Sequence, residues 1–182
     1  MVSMTAILRG RDWTRDDRDA LPDDGHRYEV LDGTLVVTPA PSSAHQIVLF
    51  GLYRQLHASC PLHLRVLGAP LDVLLDERTV LQPDLLVARR DRLSPRGLTG
   101  PPELAIEILS PSTQTADRTL KRERYERAAT PAYWLADPDT LTLTVYELNH
   151  GHLRQSAHLT RHDTWTATSP YAATITPAAW LD

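Results

Sequence analysis

Glu103-Leu104-Ala105-Ile106-Glu107-Ile108-Leu109 decides the fold. The run is short, aliphatic and bounded by turn formers, which is the signature of a buried strand. A second run of the same kind, Val80-Leu81-Gln82-Pro83-Asp84-Leu85-Leu86-Val87, reads as a strand over Val80 to Ala88. Each run carries one acid in its interior, Glu107 in the first and Asp84 in the second. A carboxylate in such surroundings is expensive to desolvate unless a cation, a set of hydrogen bonds or a metal compensates it. Asp84 and Glu107 lie 23 residues apart, room enough for one strand, a loop and a neighbouring strand. Two acids on two strands point to one shared solution, a divalent metal between them.

The rest of the chain supplies an α/β frame. Asp32-Gly33 separates Tyr28-Glu29-Val30-Leu31 from Thr34-Leu35-Val36-Val37, a hairpin signal, since Asp-Gly tolerates the positive φ of a type I′ turn. Thr14, followed by Arg15, Asp16 and Asp17, caps a short helix. Ser43 with Gln46 forms a capping box opening a helix from about Ala44 to Ser59, with Leu49, Leu52 and Leu56 at helical spacing and Pro61 closing the segment. Further strands are read at Leu64 to Leu67 and Pro70 to Leu75, a Pro/Gly loop at Leu93 to Pro102, and a turn at Ser110-Pro111-Ser112-Thr113. A second helix runs from about Ala116 to Ala129, with Arg118, Lys121, Tyr125 and Ala128 on one face. Tyr133 to Ala136 and Leu141 to Leu148 are strands around Asp137-Pro138-Asp139, and His152 to Asp182 reads as a strand or two and a loose tail. With no repeat and no linker, this is a single domain over residues 1–182 with a polar N-terminal segment, a mixed β-sheet flanked by helices and a C-terminal β extension.

Composition narrows the classes. The 182 residues are 42% hydrophobic and 23% charged, which fits a globular chain with a sizeable core. A formal charge of −4 argues against bulk electrostatic wrapping in nucleic acid, although a local basic surface is compatible with it. The lone Cys60 excludes an internal disulfide and a thiolate zinc site. No apolar stretch approaches the roughly 20 residues of a membrane span. Met1-Val2-Ser3-Met4 leads into an Arg/Asp-rich stretch without signal-peptide character, so a cytoplasmic location is expected.

Oxygen donors suit hard cations, and Mg²⁺ accepts one or two protein carboxylates while keeping several waters. Lys121 can bring an ammonium to such a site from its helix, and Glu29 adds a third acid that either binds the metal through water or anchors Lys121. Each residue also has a plainer reading. Asp84 after Pro83 can end a strand and accept backbone N–H bonds. Glu107 shares a strand face with Ala105 and Leu109, which can be open to solvent. Lys121 can pair with Asp117 at i,i+4, and Glu29 can be an outward hairpin residue.

In order and spacing the motifs resemble the PD-(D/E)XK nuclease superfamily, and within it the Uma-two family of restriction endonucleases. The similar stretches are Tyr28 to Gly33, Pro41-Ser42-Ser43-Ala44-His45-Gln46, Gln82-Pro83-Asp84, Ile106 to Thr113, Asp117 with Lys121 and Tyr125, Tyr133-Trp134-Leu135, and Asp137-Pro138. The resemblance implies a restriction-endonuclease-like core and Mg²⁺-dependent hydrolysis of DNA phosphodiesters, with Mn²⁺ as a substitute. It implies Asp84, Glu107, Ile108 and Glu29 as the metal set, and Asp84, Glu107, Lys121 and Glu29 as the catalytic set. It also implies a homodimer, since two sites are needed to cut both strands. One departure stands out. The superfamily pattern places a lysine two residues after the second acid, where this chain has Leu109, and Lys121 is the substitute.

Arg89, Arg90, Arg92 and Arg96, together with Arg118, Lys121, Arg122, Arg124 and Arg127, offer local positive charge for DNA, interspersed with acids that make a merely solvated surface the alternative. Two other functions compete with the endonuclease: a non-catalytic nucleic-acid- or partner-binding module on the same fold, and a hydrolase of another phosphoester, against which stands the lack of a Gly-rich phosphate loop.

Overall fold

The computed structural model describes residues 6–8, 10–110 and 116–182; the side chains of Ala6, Ala116 and Asp117 are outside the description as well. The turn expected over Pro111 to Thr113, the N-terminal Met1 to Met4 and the Asp117–Lys121 pairing therefore lie outside the described residues.

In chain order the elements are β1 (Ala6–Leu8), α1 (Arg15–Asp19), β2 (Arg27–Leu31), β3 (Thr34–Thr38), α2 (Ser43–His57), β4 (Leu64–Gly68), β5 (Val73–Asp76), β6 (Thr79–Leu81) and β7 (Leu85–Arg89). They continue with β8 (Leu93–Ser94), β9 (Gly97–Thr99), β10 (Leu104–Ile108), α3 (Arg122–Arg127), β11 (Ala132–Asp137), β12 (Thr142–Asn149), β13 (His152–Leu159), β14 (Trp165–Ala167) and β15 (Ala173–Ile175).

Two mixed sheets carry the architecture. The central one has strand order β13-β12-β11-β10-β7-β4, with β10 and β11 parallel and its other neighbours antiparallel. The second has order β1-β3-β2-β6-β5-β9-β8. β10 decides how the layers meet. Its Leu104, Ile106 and Ile108 pack in one cluster with Val48, Leu52 and Leu56 of α2, while Ala105 joins Leu109, Leu31, Leu81, Tyr125 and Tyr133 on the other side. This alternation is the period-2 consequence of strand geometry, and it puts Glu107 on the side of the second sheet and α3.

Local chemistry explains most element ends. Asp32 (φ 52°) and Gly33 (φ 72°) take the positive φ that a two-residue hairpin turn requires, pairing Leu31 with Thr34. Thr14 caps α1, and Asp17 reciprocates in a capping box. α2 starts one residue earlier than the Ser43–Gln46 reading. Ser42 is the extended cap, and its hydroxyl accepts from the His45 N–H. The shift makes His45 the third helical residue and turns it inward.

Three further expectations are corrected. The single strand read over Val80 to Ala88 is two strands in two different sheets, broken at Gln82-Pro83-Asp84. Proline cannot donate to a ladder, so the break falls where the sequence put Pro83. The second helix opens as a π-helical turn over Ala116–Lys121 and becomes α-helical only from Arg122. Its i→i+5 bonding spoils the assumed register, so Lys121 and Tyr125 are buried while Arg118 is exposed. The C-terminus is no loose tail: β14 and β15 pair, and a 3₁₀ turn over Pro177–Leu181 seats Trp180 in the core against α2. Among the described residues no helix is long and apolar enough to cross a membrane.

Candidate active site

The antiparallel register pairs Ile106 with Leu85, so one further step sets Glu107 opposite Asp84. Residues opposite one another on neighbouring strands point to the same face. The two acids therefore meet where β7 and β10 open into a cavity of about 1080 Å³ that both line. Neither is a surface group, with Asp84 3% and Glu107 1% exposed.

Each acid is held by its own set of donors. The Asp84 Oδ2 accepts from the Ile108 N–H at 2.9 Å and faces His45 Nε2 at 3.0 Å, while Oδ1 accepts from Arg27 Nη1 at 3.0 Å. Burial works to raise the Asp84 carboxyl, but the His45 hydrogen bond, the Arg27 guanidinium and the ring of His45 outweigh it. They hold the group well below the usual carboxylate range. The backbone hydrogen bond of the plainer Asp84 reading is thus present, yet it is one of three donors.

Glu107 engages Lys121. The Lys121 Nζ donates to Glu107 Oε1 at 3.1 Å and lies 3.2 Å from Glu29 Oε2. Glu29 is 1% and Lys121 4% exposed, so this is a buried cluster and neither residue is an outward surface group. Glu29 Oε1 accepts from the Gln82 N–H at 2.7 Å, which ties β2 to the break after β6. The structure thus brings Asp84, Glu107, Glu29 and Lys121 to one place. Ile108 takes part through its N–H on Asp84, its side chain being in the core.

Two neighbours of Asp84 were missed as site residues. His45 stood inside a quoted motif but was assigned nothing, and Arg27 was not singled out at all. Arg27 shares a strand face with Glu29 two residues on, and that alternation was the available signal. Burial disfavours its charge, but Glu29, Asp84 and Glu107 raise its pKa above the ordinary arginine value.

The arginines read as a DNA surface are spread over several elements. Five residues of β7 rise carry Arg89 about 17 Å from Asp84. Arg89 pairs with Asp91, Arg92 bonds the Thr99 and Pro101 carbonyls, and Arg96 reaches Asp19, which lines the cavity. Arg124 pairs with Asp32.

The donor chemistry fits a hard dication. Asp84 and Glu107 both line a cavity wide enough for the waters that Mg²⁺ retains. Among the described residues no group of three or more His, Cys, Asp or Glu side chains forms a ready-made metal cage. Glu29 lies on the Lys121 side of the cluster, which accords with anchoring the ammonium.

Comparison with known proteins agrees with this frame. A solved structure described as a putative nuclease from Anabaena variabilis superposes with a TM-score of 0.75 at 19% identity, covering 93% of this chain and 97% of that one. At that identity the likeness speaks for the fold. No curated protein matches the chain. The profile of the Uma2 family, described as "Putative restriction endonuclease", matches residues 15–178, and the chain belongs to that family.

Proposed function

We propose that the protein is a metal-dependent endonuclease that hydrolyses DNA phosphodiester bonds, working as a homodimer with one site per strand. The observation that carries this reading is the pairing of two buried acids at neighbouring strands, Asp84 at the entry to β7 and Glu107 in β10, with the Lys121 ammonium on Glu107. Asp84 and Glu107 hold Mg²⁺, or Mn²⁺ in its place, with the Ile108 backbone steadying Asp84. Bound there, the ion supplies Lewis-acid polarisation of a phosphoryl oxygen and lowers the pKa of a bound water. Lys121 offers a compact positive charge where negative charge develops on the phosphorus oxygens, an interaction worth more in the transition state than in the ground state. Glu29 holds that ammonium together with Glu107. The Pro83 break sets the Asp84 carboxylate at the cavity wall and not inside a strand.

One observation favours a second reading, a non-catalytic nucleic-acid-binding module. Arg27, His45 and Lys121 already engage all three acids. A supercoiled-plasmid assay separates the two. Nicking or linearisation with Mg²⁺ or Mn²⁺, abolished by EDTA and by Asp84→Ala, is the expected result. DNA binding that is indifferent to EDTA, with the plasmid left intact under every condition, selects the binding module instead.

A further inference from the structure

We infer that Arg27 is the residue that receives the substrate's phosphodiester group at this site. The inference rests on the nuclease reading and names a contact with substrate that the acids and Lys121 do not make.

The geometry favours Arg27 over the other cations of the cavity wall. It opens β2 and reaches Asp84 with Nη1, and its side chain, 22% exposed, lines the cavity. A guanidinium carries five N–H donors. Among the described residues Asp84 is its one hydrogen-bond partner, and the buried Nε has none. With one partner for five donors, the guanidinium has N–H groups to spare for an acceptor that enters the cavity. Phosphate oxygens fit that role, because the planar fork matches them two at a time. Arg18, the neighbouring arginine on the same cavity, is taken up by Asp19 and Asp72, and Lys121 is held by Glu29 and Glu107.

Charge points the same way. Leaving His45 out, three carboxylates face two cations, Lys121 and Arg27, which leaves one net negative charge. A dication reverses that sign, and one phosphodiester restores neutrality. Arg27 can also leave without disorganising the site. Its departure frees Asp84 Oδ1, while Oδ2 stays fixed by His45 and by the Ile108 N–H. Arg27 thus neutralises Asp84 when the site is empty and turns to the phosphate when it is filled.

The test is fluorescence anisotropy with a labelled duplex oligonucleotide over a range of salt concentrations, with the Arg27 variants compared in Ca²⁺, which takes the same oxygen ligands as Mg²⁺, and the Asp84 variants compared with them in EDTA. Wild type, Arg27→Ala, Arg27→Lys, Asp84→Asn and the Arg27→Ala/Asp84→Asn double variant are compared, with melting temperatures as the folding control. Arg27→Ala should weaken binding roughly tenfold or more and flatten the slope of log K against log salt by about one. Arg27→Lys, which keeps the charge and should fold normally, should preserve the slope but not the full affinity. Asp84→Asn should tighten binding by releasing Arg27, and the gain should shrink when Arg27 is absent. Wild-type affinity and slope in both Arg27 variants, with wild type binding and cutting DNA, overturns this assignment alone. A wild type that binds no oligonucleotide in Ca²⁺ overturns the nuclease reading and this assignment with it.

Discussion

Replacing Lys121 with methionine removes the ammonium held between Glu29 and Glu107 while keeping most of the length of the side chain. The Nζ sits 3.2 Å from Glu29 Oε2 and 3.1 Å from Glu107 Oε1, so the two carboxylates are left no more than about 6 Å apart. At an effective dielectric of about 20, two like charges at ~6 Å repel by roughly 3 kcal/mol. That agrees with the 3–5 kcal/mol cost of breaking a buried pair by removing one partner. Arg27, which also faces both acids, sets the expectation at the lower end, about 3 kcal/mol. For a domain of this size each kcal/mol is worth about 2–4 °C, so the melting temperature should fall by roughly 6–12 °C. Urea unfolding followed by tryptophan fluorescence measures the loss, and an unchanged m value shows that the native fold survives. Adding Glu107→Gln to Lys121→Met removes one of the stranded charges and should restore at least ~1 kcal/mol, a coupling that independent sites would not show. A loss below ~1 kcal/mol for the single variant, or a double variant no more stable than the single, refutes the shared-cation account of this cluster.

Two further expectations concern the frame around the site. Glycine inside a helix is ordinarily worse than alanine by ~1 kcal/mol, yet a Cβ on Gly51 of α2 would lie 2.3 Å from the Trp180 Cα. Gly51→Ala should therefore lower the melting temperature and red-shift the tryptophan emission as Trp180 is pushed out; a stabilised variant contradicts the packing of the C-terminal turn on α2. Burial works to raise Asp72, but hydrogen bonds from Arg18 and Gln82 outweigh it and lower its pKa. A group with a depressed folded pKa adds stability that is present above the ordinary carboxylate value near 4 and is lost as pH falls through the folded one. Stability of wild type should thus fall more steeply below about pH 4 than that of Asp72→Asn, and parallel acid limbs in pH-dependent urea titrations refute the role of the pair.

What the sequence disclosed was local. Asp32-Gly33 sets its own turn, and Leu49, Leu52 and Leu56 mark the buried face of α2 by spacing alone. Two adjacent serines can both cap that helix, and only the packing of His45 against Asp84 chooses Ser42. The Pro83 signal was present, but the aliphatic residues on both sides masked a change of sheet. The π-turn before α3 leaves no trace in hydrophobic periodicity, so Arg118 was placed on the wrong face while Lys121 and Tyr125 were placed correctly. The C-terminal segment reads as polar because its strands are two or three residues deep in apolar character, and Trp180 finds its place only against α2. The acids of the site were legible because a carboxylate in an aliphatic strand is anomalous. Arg27 was not, because an arginine in a half-polar hairpin is ordinary until Asp84, 57 residues on, is folded against it.

The displaced lysine follows from the same geometry. In the pattern this chain resembles, the lysine stands two residues after the second acid, on the same strand face. Leu109 occupies that place here and packs with Tyr125, Tyr133 and Leu135. A lysine at 109 would put an ammonium into that apolar cluster unless it snorkelled back to Glu107. Lys121 reaches the carboxylate from the opposite direction, its flexible four-carbon stem spanning from the junction of the π-turn and α3. The position of the ammonium is fixed by the acids it serves, Glu107 and Glu29, and not by the strand that carries the second acid. Leu109 then becomes core, α3 becomes the element that closes the site, and the π-turn sets the rotation that aims Lys121 inward. The stability of this layer and the cleavage proposed above rest on the same side chain, so Lys121 variants must be assayed for fold and for cleavage together.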